Sequence, residues 1–340
     1  RKPAANLKPE MTTEWEVGLT AALFQNRLNL DLTYYDKVTK DQIVSATLPP
    51  ETGYTTETKN VGKIGNKGIE AALSFTPVRK GDWEWEVGTT FAKNVSKVIE
   101  LWDGLDEYSY ISSYSVYGVL KVGEPLLQLR IPALQTVEDP NSPYYGYEVV
   151  NNNGVPIVDA TKYKYLGSTQ PDFTMGFNTT LKWKNLTFTA VGDWRHGGIM
   201  YSRTANITGF NGNATFTVRN ERDPMVLPKT VKQVNGQYVE NNIPIMASYW
   251  PTAFGNQSMA RVRENWVLPK DYFKLREVTL AYSLPSKLLK TTFLKQVTVS
   301  AIGRNLFLGT PEKNNLVDPE STNLGNDLNS EFGETGGTIS

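Results

Sequence analysis

"GDWEWEVGTTFA" (residues 81–92) alternates without a break: Trp83, Trp85, Val87, Thr89 and Phe91 share one parity, and Glu84, Glu86, Gly88 and Thr90 the other. Successive side chains of a strand point to opposite faces, so this stretch reads as a strand with one apolar and one polar side. Its largest apolar residues stand beside the preceding turn rather than at mid-strand. The fold depends on which apolar medium favours that placement.

The same alternation recurs at 13–24, 27–35, 67–75, 172–183, 185–194, and roughly 271–284 and 295–307. Trp15, Val17, Leu19, Ala21 and Leu23 share a face in the first of these. Leu28, Leu30, Leu32 and Tyr34 do so in the second, and Ile69, Ala71, Leu73 and Phe75 in the third. Further on, Phe173, Met175, Phe177, Leu181 and Trp183 do the same. The connections are as informative as the strands. "QN", "RKGD" and "KN" are short, and "PSKLLKTTFLK" is moderate. Between them lie the long stretches 36–66, 98–171 and 201–270, and the chain closes in another. Compact soluble domains rarely contain structureless loops above about 15 residues. Transmembrane barrels regularly pair short periplasmic turns with long extracellular loops.

Composition neither opposes nor proves this. Lys+Arg and Asp+Glu are equal at 35 each among 340 residues, which gives no electrostatic basis for a nucleic-acid partner. Cysteine is absent, so disulfide and thiolate chemistry are excluded. No apolar run reaches the roughly 18 residues of a transmembrane helix, which excludes a helical membrane protein but not a barrel, whose signal per strand is weak.

In an antiparallel transmembrane β-barrel the opening stretch is explained. Trp83 and Trp85 directly follow a short turn and Trp183 precedes one, the places where an aromatic girdle meets the periplasmic membrane boundary. Phe75 belongs to the same membrane-interface set, and Leu73 and Leu181 are expected to face lipid nearby. The opposite parity then faces a wet lumen: Glu14, Glu16, Asp31, Glu70, Glu84, Glu86, Asp193 and Arg195, with Asn29, Asn178 and Lys182 in keeping. Short periplasmic turns also place the start of the first strand and the end of the eighth outside. Single-chain bacterial barrels normally bring both termini to the periplasm, so at least one strand is expected beyond each end, and residues 1–340 read as part of a barrel domain.

Catalytic signatures are missing. His196 is the sole histidine, and neither G-x-S-x-G nor G-x-x-x-x-G-K-[ST] occurs. "NVGKIGNKG" spaces Gly62, Gly65 and Gly68 wrongly for a dinucleotide fingerprint and reads as backbone freedom entering a strand. "HGG" follows a strand and opens a long loop. The sequence therefore predicts no enzyme, no catalytic residue, no metal and no cofactor.

Several short motifs occur in a fixed order: "NLKPE" (6–10), "NRLNLDLTYYDK" (26–37), "TGY" (52–54), "NVGKIGNKGIE" (60–70), "VGEP" (122–125), "ENW" (264–266), "YFKLREVTLAYSLP" (272–285), "GRNLF" (303–307) and "DPE" (318–320). As an ordered set they resemble the C-terminal barrel part of the SusC/RagA-type TonB-dependent outer-membrane transporters of Bacteroidetes, nearly end to end. The resemblance implies a barrel of about 22 strands, of which this chain supplies about eight. It also implies an N-terminal plug, a TonB partner engaged through the missing N-terminal region, and a SusD-like lipoprotein as a hinged lid. The plug and the family's aromatic C-terminus are not in this chain. The function implied is TonB-dependent import of nutrient oligosaccharides or peptides by a multi-pass protein of the Gram-negative outer membrane. The alternatives are a passive porin, a structural or adhesion barrel, and a soluble glycan-binding β domain.

The connection 98–171 is rich in tyrosine. Tyr108, Tyr110, Tyr114, Tyr117, Tyr144, Tyr145 and Tyr147 are candidates for contact with the lid or the substrate, because tyrosine combines a large rigid surface with a polar tip. The competing expectation is an extracellular hairpin packed on its own neighbours.

Overall fold

A computed structural model describes residues 7–47, 53–54, 56–113, 116–213, 218, 221–246, 263–321 and 333–334. Eight strands form one antiparallel sheet. They are β1 (Met11–Leu23), β2 (Leu28–Thr47), β3 (Thr56–Lys80), β4 (Trp83–Glu100), β5 (Phe173–Trp183), β6 (Leu186–His196), β7 (Tyr272–Ser283) and β8 (Thr298–Gly309). Their order in space is their order in the chain, each pairing with its predecessor and successor. The edges are β1 and β8, and among the described residues helix occurs only as short pieces in the connections.

Register makes the alternation continuous across the wall. One row of cross-strand partners runs Leu19, Leu32, Ala71, Phe91, Met175, Trp194, Phe273 and Gly309 from β1 to β8. The adjacent row, on the opposite face, runs Thr20, Asp31, Ala72, Thr90, Gly176, Asp193, Lys274 and Leu308. A slip of one residue anywhere would exchange the faces of every strand beyond it. Among the described residues, the buried apolar side chains lie outside the eight strands or at their long-connection ends. The wall is a single layer whose apolar face is left to its surroundings. In water such a face would be an aggregation site; against hydrocarbon it is the stable arrangement.

The short turns close tightly and are laced together. Phe24, Gln25 and Asn26 take positive φ (55°, 57° and 62°), which bends the chain between β1 and β2. The amide of Thr76 donates to the carbonyl of Arg27 (2.7 Å), that of Lys184 to Asp82 (3.0 Å), and that of Ser283 to Asn185 (2.9 Å). The rim is thus one hydrogen-bonded belt.

The connections differ from expectation in two ways. First, most of 36–66 is not loop, since β2 and β3 continue as a paired ladder to Thr47 and from Thr56. Ladder hydrogen bonds need no apolar face, so the hairpin persists where the hydrophobic alternation has ended. Gly62 lies in this extension at φ +53°, and a Cβ there would stand 1.8 Å from the Glu100 carbonyl oxygen, so the residue must be glycine. Second, the connections on either side of β5–β6 fold into small sheets. The first contains an antiparallel sheet of Glu107–Ser113, Val116–Lys121, Gln128–Leu134 and Val158–Ser168. The second contains the hairpin Thr230–Val234 with Gln237–Glu240, whose first strand runs parallel to Glu148–Val149 of the first connection. A helix, α1 (Arg203–Phe210), begins where the Ser202 hydroxyl accepts the Ala205 amide (3.0 Å).

Among the described residues the largest core lies here, outside the wall. Val116, Leu129 and Ile131 from the first connection pack with Met200, Tyr201, Ala205, Trp266, Val267 and Leu268 from the second and Val317 from the segment after β8.

Candidate functional site

The wall's polar face gathers the charged candidates. Glu14 faces Lys37 across the β1–β2 ladder, Glu16 faces Tyr35, Asp31 faces Ala72, and Glu70 faces Ala92. Glu84 faces Lys182, Glu86 faces Thr180, and Asp193 and Arg195 face Gly176 and Thr174. All eight therefore share one face. They do not converge on a single point: Asp31 and Glu70 border an open depression with Thr33, Thr90 and Thr174, whereas Glu84 pairs with Lys182 (2.8 Å) at the short-turn end. Such spacing suits a wetted wall, not a reaction centre.

Trp83, Trp85, Trp183 and Phe75 lie on the other face, together with Leu73 and Leu181. The rings of Trp83 and Trp183 stack at 5.5 Å. The Trp85 indole N–H donates to the Thr179 hydroxyl (2.9 Å), so its polar edge is satisfied within the sheet while the ring stays exposed.

At the long-connection end of the polar face, Asp193 enters a network that residue-by-residue reading of the sequence missed. The Arg276 guanidinium forks onto Asp193 and, through Nη1 (2.6 Å) and Nη2 (2.5 Å), onto Glu320. Lys274 Nζ donates to both oxygens of Asp318 (2.8 and 2.7 Å) and to Glu320, and the Tyr272 hydroxyl donates to Glu320 Oε1 (2.9 Å). Burial pushes the Glu320 carboxyl up, but hydrogen bonds from Arg276, Lys274 and Tyr272 outweigh it and bring the group down to about 2. Two of the ordered motifs, "YFKLREVTLAYSLP" and "DPE", are thereby joined, and the segment after β8 is tied to β6 and β7. Arg276 sits where the β7–β8 register shifts, between Leu275 and Glu277. A bulge of this kind breaks the strict alternation, which is why periodicity could not assign its face.

The tyrosine candidates divide. Tyr108 stacks edge-on against Trp102 (4.9 Å) and, with Tyr110, packs on Val98, Leu101, Leu120 and Leu127; burial raises the Tyr108 hydroxyl. Tyr144 and Tyr147 lie 5.8 Å apart on Val137, Val149 and Val231. Tyr114 lies outside the described residues. Tyr145 is 60% exposed. Tyr117 meets Tyr163 edge to face (5.9 Å), and the Arg130 guanidinium lies 3.8 Å over the Tyr163 ring. Lys121 stands 4.1 Å over Tyr165, and both Tyr163 and Tyr165 remain exposed. Tyr163 and Tyr165 thus present their rings outward, backed by the half-buried Tyr117 and Lys121 and by Arg130, which is ion-paired with Glu107. Alternation in "KYKY" (162–165) was the available signal for Tyr163 and Tyr165.

A family model described as "TonB dependent receptor-like, beta-barrel" matches residues 2–227. The chain is 28% identical over 340 residues to "TonB-dependent receptor P26" of Formosa agariphila, covering 94% of this chain and 32% of that protein. It is 26% identical over 200 residues to "TonB-dependent receptor SusC" of Bacteroides thetaiotaomicron, covering 54% of this chain and 19% of that protein. Among solved structures, "Structure of the RagAB peptide transporter" aligns with a TM-score of 0.65 at 20% identity, over 89% of this chain and 32% of that one. The chain spans about a third of the length of its Formosa agariphila relative.

Proposed function

Because this chain belongs to the TonB-dependent receptor β-barrel family, we propose that it is wall and outer platform of an energised importer in the Gram-negative outer membrane. Its cargo is an oligosaccharide or a peptide, TonB supplies the energy, and a SusD-like lipoprotein covers the mouth. The observation that carries this reading is the single-layer wall with one continuous apolar and one continuous polar face, topped at one end by connections sharing a folded core. An apolar band against lipid and charged groups against a wet lumen make a conduit; the scattered charges of the polar face make a passage wall rather than a catalyst. Residues 1–340 are part of the barrel domain in this reading, and Glu14, Glu16, Asp31, Glu70, Glu84, Glu86, Asp193 and Arg195 line the lumen.

Tyr145 and the Tyr117–Tyr163–Tyr165 surface are the contacts offered to the lid or to cargo, because the other described tyrosine candidates are held in the platform's own packing. The test is uptake of labelled oligosaccharides and peptides by cells expressing the whole protein, with and without TonB. Uptake is expected to stop when TonB is removed. Persistence at the same rate would make the barrel a passive pore.

A further inference from the structure

The connection between β7 and β8 differs from the other turns on its side. It runs from Leu284 to Val297, whereas β3–β4 and β5–β6 turn through Gly81–Asp82 and Lys184–Asn185 alone. Its conformation is fixed by its own bonds. Leu284 N donates to Val297 O (2.9 Å), Leu288 N to Pro285 O (2.9 Å), and Thr292 donates to Leu289 O through both its amide and its hydroxyl (2.9 Å each). Leu289 is buried beneath the turn, yet Leu288 is 65% and Phe293 93% exposed, with Leu294 exposed beside them. Ordered backbone holding a bare phenylalanine outward needs a physical reason.

The surroundings supply one. Lys287, Lys290 and Lys295 are exposed around these apolar groups, and the sequence has no Asp or Glu between Glu277 and Glu312. Tyr282 and Val299, partners across the β7–β8 ladder at the base of this turn, are exposed on the wall's apolar face. The turn therefore continues the apolar band and ends it in positive charge. An apolar centre rimmed by lysines is the composition of a segment lying in a bilayer surface, its rings among the upper acyl chains and its ammonium groups at the phosphates.

We infer that residues 285–297 anchor the barrel to the phospholipid leaflet on its short-turn side: Leu288, Phe293 and Leu294 enter the headgroup region, and Lys287, Lys290 and Lys295 meet lipid phosphates. The inference rests on the reading of the wall's apolar face as lipid-facing, and its test separates the two. The whole transporter is placed in nanodiscs of phosphatidylethanolamine and phosphatidylglycerol with a nitroxide at one of three positions, Phe293→Cys, Asp82→Cys or Leu73→Cys. Residues 1–340 contain no cysteine, and any elsewhere in the transporter is first replaced by serine. Collision rates with molecular oxygen and with a water-soluble nickel chelate are then measured. The Phe293 label is expected to favour oxygen over nickel more than the Asp82 label does, and less than the Leu73 label. Combined Lys287→Gln, Lys290→Gln and Lys295→Gln changes should shift the Phe293 label toward water. A Phe293 label as open to nickel as Asp82, with Leu73 still in lipid, overturns the anchor alone. A Phe293 label shielded from both reagents overturns it too, by placing a protein against the turn. No shift on removing the lysines rejects the phosphate contact. A Leu73 label in water would overturn the lipid-facing wall itself.

Discussion

Gly68 and Leu73 sit on the same strand and show how differently a single residue can be constrained. A Cβ at Gly68 would fall 2.3 Å from the Tyr35 ring, which lies across the glycine on the polar face and donates its hydroxyl to Asn94 (3.1 Å). There the neighbour's side chain occupies the place of the missing one. Leu73 is constrained by its medium instead: it stands between Leu30 and Thr89 on the apolar face, exposed on a layer with nothing packed over it. Leu73→Arg is therefore expected to destabilise the folded barrel by up to about 2–4 kcal/mol, the cost falling toward about 0–1 kcal/mol the nearer the site lies to the membrane boundary, measured as a shift of the urea midpoint in lipid vesicles. A change below the error of that measurement, together with a nitroxide at position 73 open to the nickel chelate, would place Leu73 in water.

At the scale of elements, the segment after β8 is held by charge. The Glu320 carboxyl is lowered from an ordinary value near 4.5 to about 2, so its contribution is fully present above pH 4.5 and is lost as pH falls toward 2. Hydrogen-exchange protection around Asp318–Ser321, taken relative to the intrinsic rate at each pH, should fall over that window. Glu320→Gln should exchange faster than the parent at neutral pH, with the two converging near pH 2. In the platform, Tyr144→Ser removes a half-buried ring from the cluster around Val149 and Val231 and should cost about 1–2 kcal/mol of local stability. Tyr145→Ser should leave exchange rates unchanged and alter only lid co-purification or uptake. All eight wall strands were legible, because period-two alternation is imposed by having different media on the two faces and does not depend on partners far away in sequence. The Arg276–Glu320 network was not, since it joins a bulge to a residue 44 positions on. The hairpin expected within 98–171 is present as Glu107–Ser113 paired with Val116–Lys121, but the rest of the small sheets was not legible, because they bury both faces unevenly: Val116, Val119 and Leu120 are all buried within one short strand.

For the molecule as a whole, the wall and the core of the connections obey opposite rules: one exposes its apolar residues, the other hides them. Trp266 is buried within that core, at 2% exposure. Trp266→Ala should cost about 3–5 kcal/mol there, and hydrogen exchange should rise together at 116–131, 199–205 and around Val317 while the wall stays protected. A rise confined to the second connection would show that the segments fold separately. The shared core also bears on heredity. Recombination between related genes that carried residues 101–172 alone into another barrel would set Val116, Leu129 and Ile131 against partners selected for a different neighbour. The exchangeable cassette is the set of connections, 101–172 with 197–271 and 310–321. New specificities would then be acquired in linked, non-contiguous blocks rather than one connection at a time.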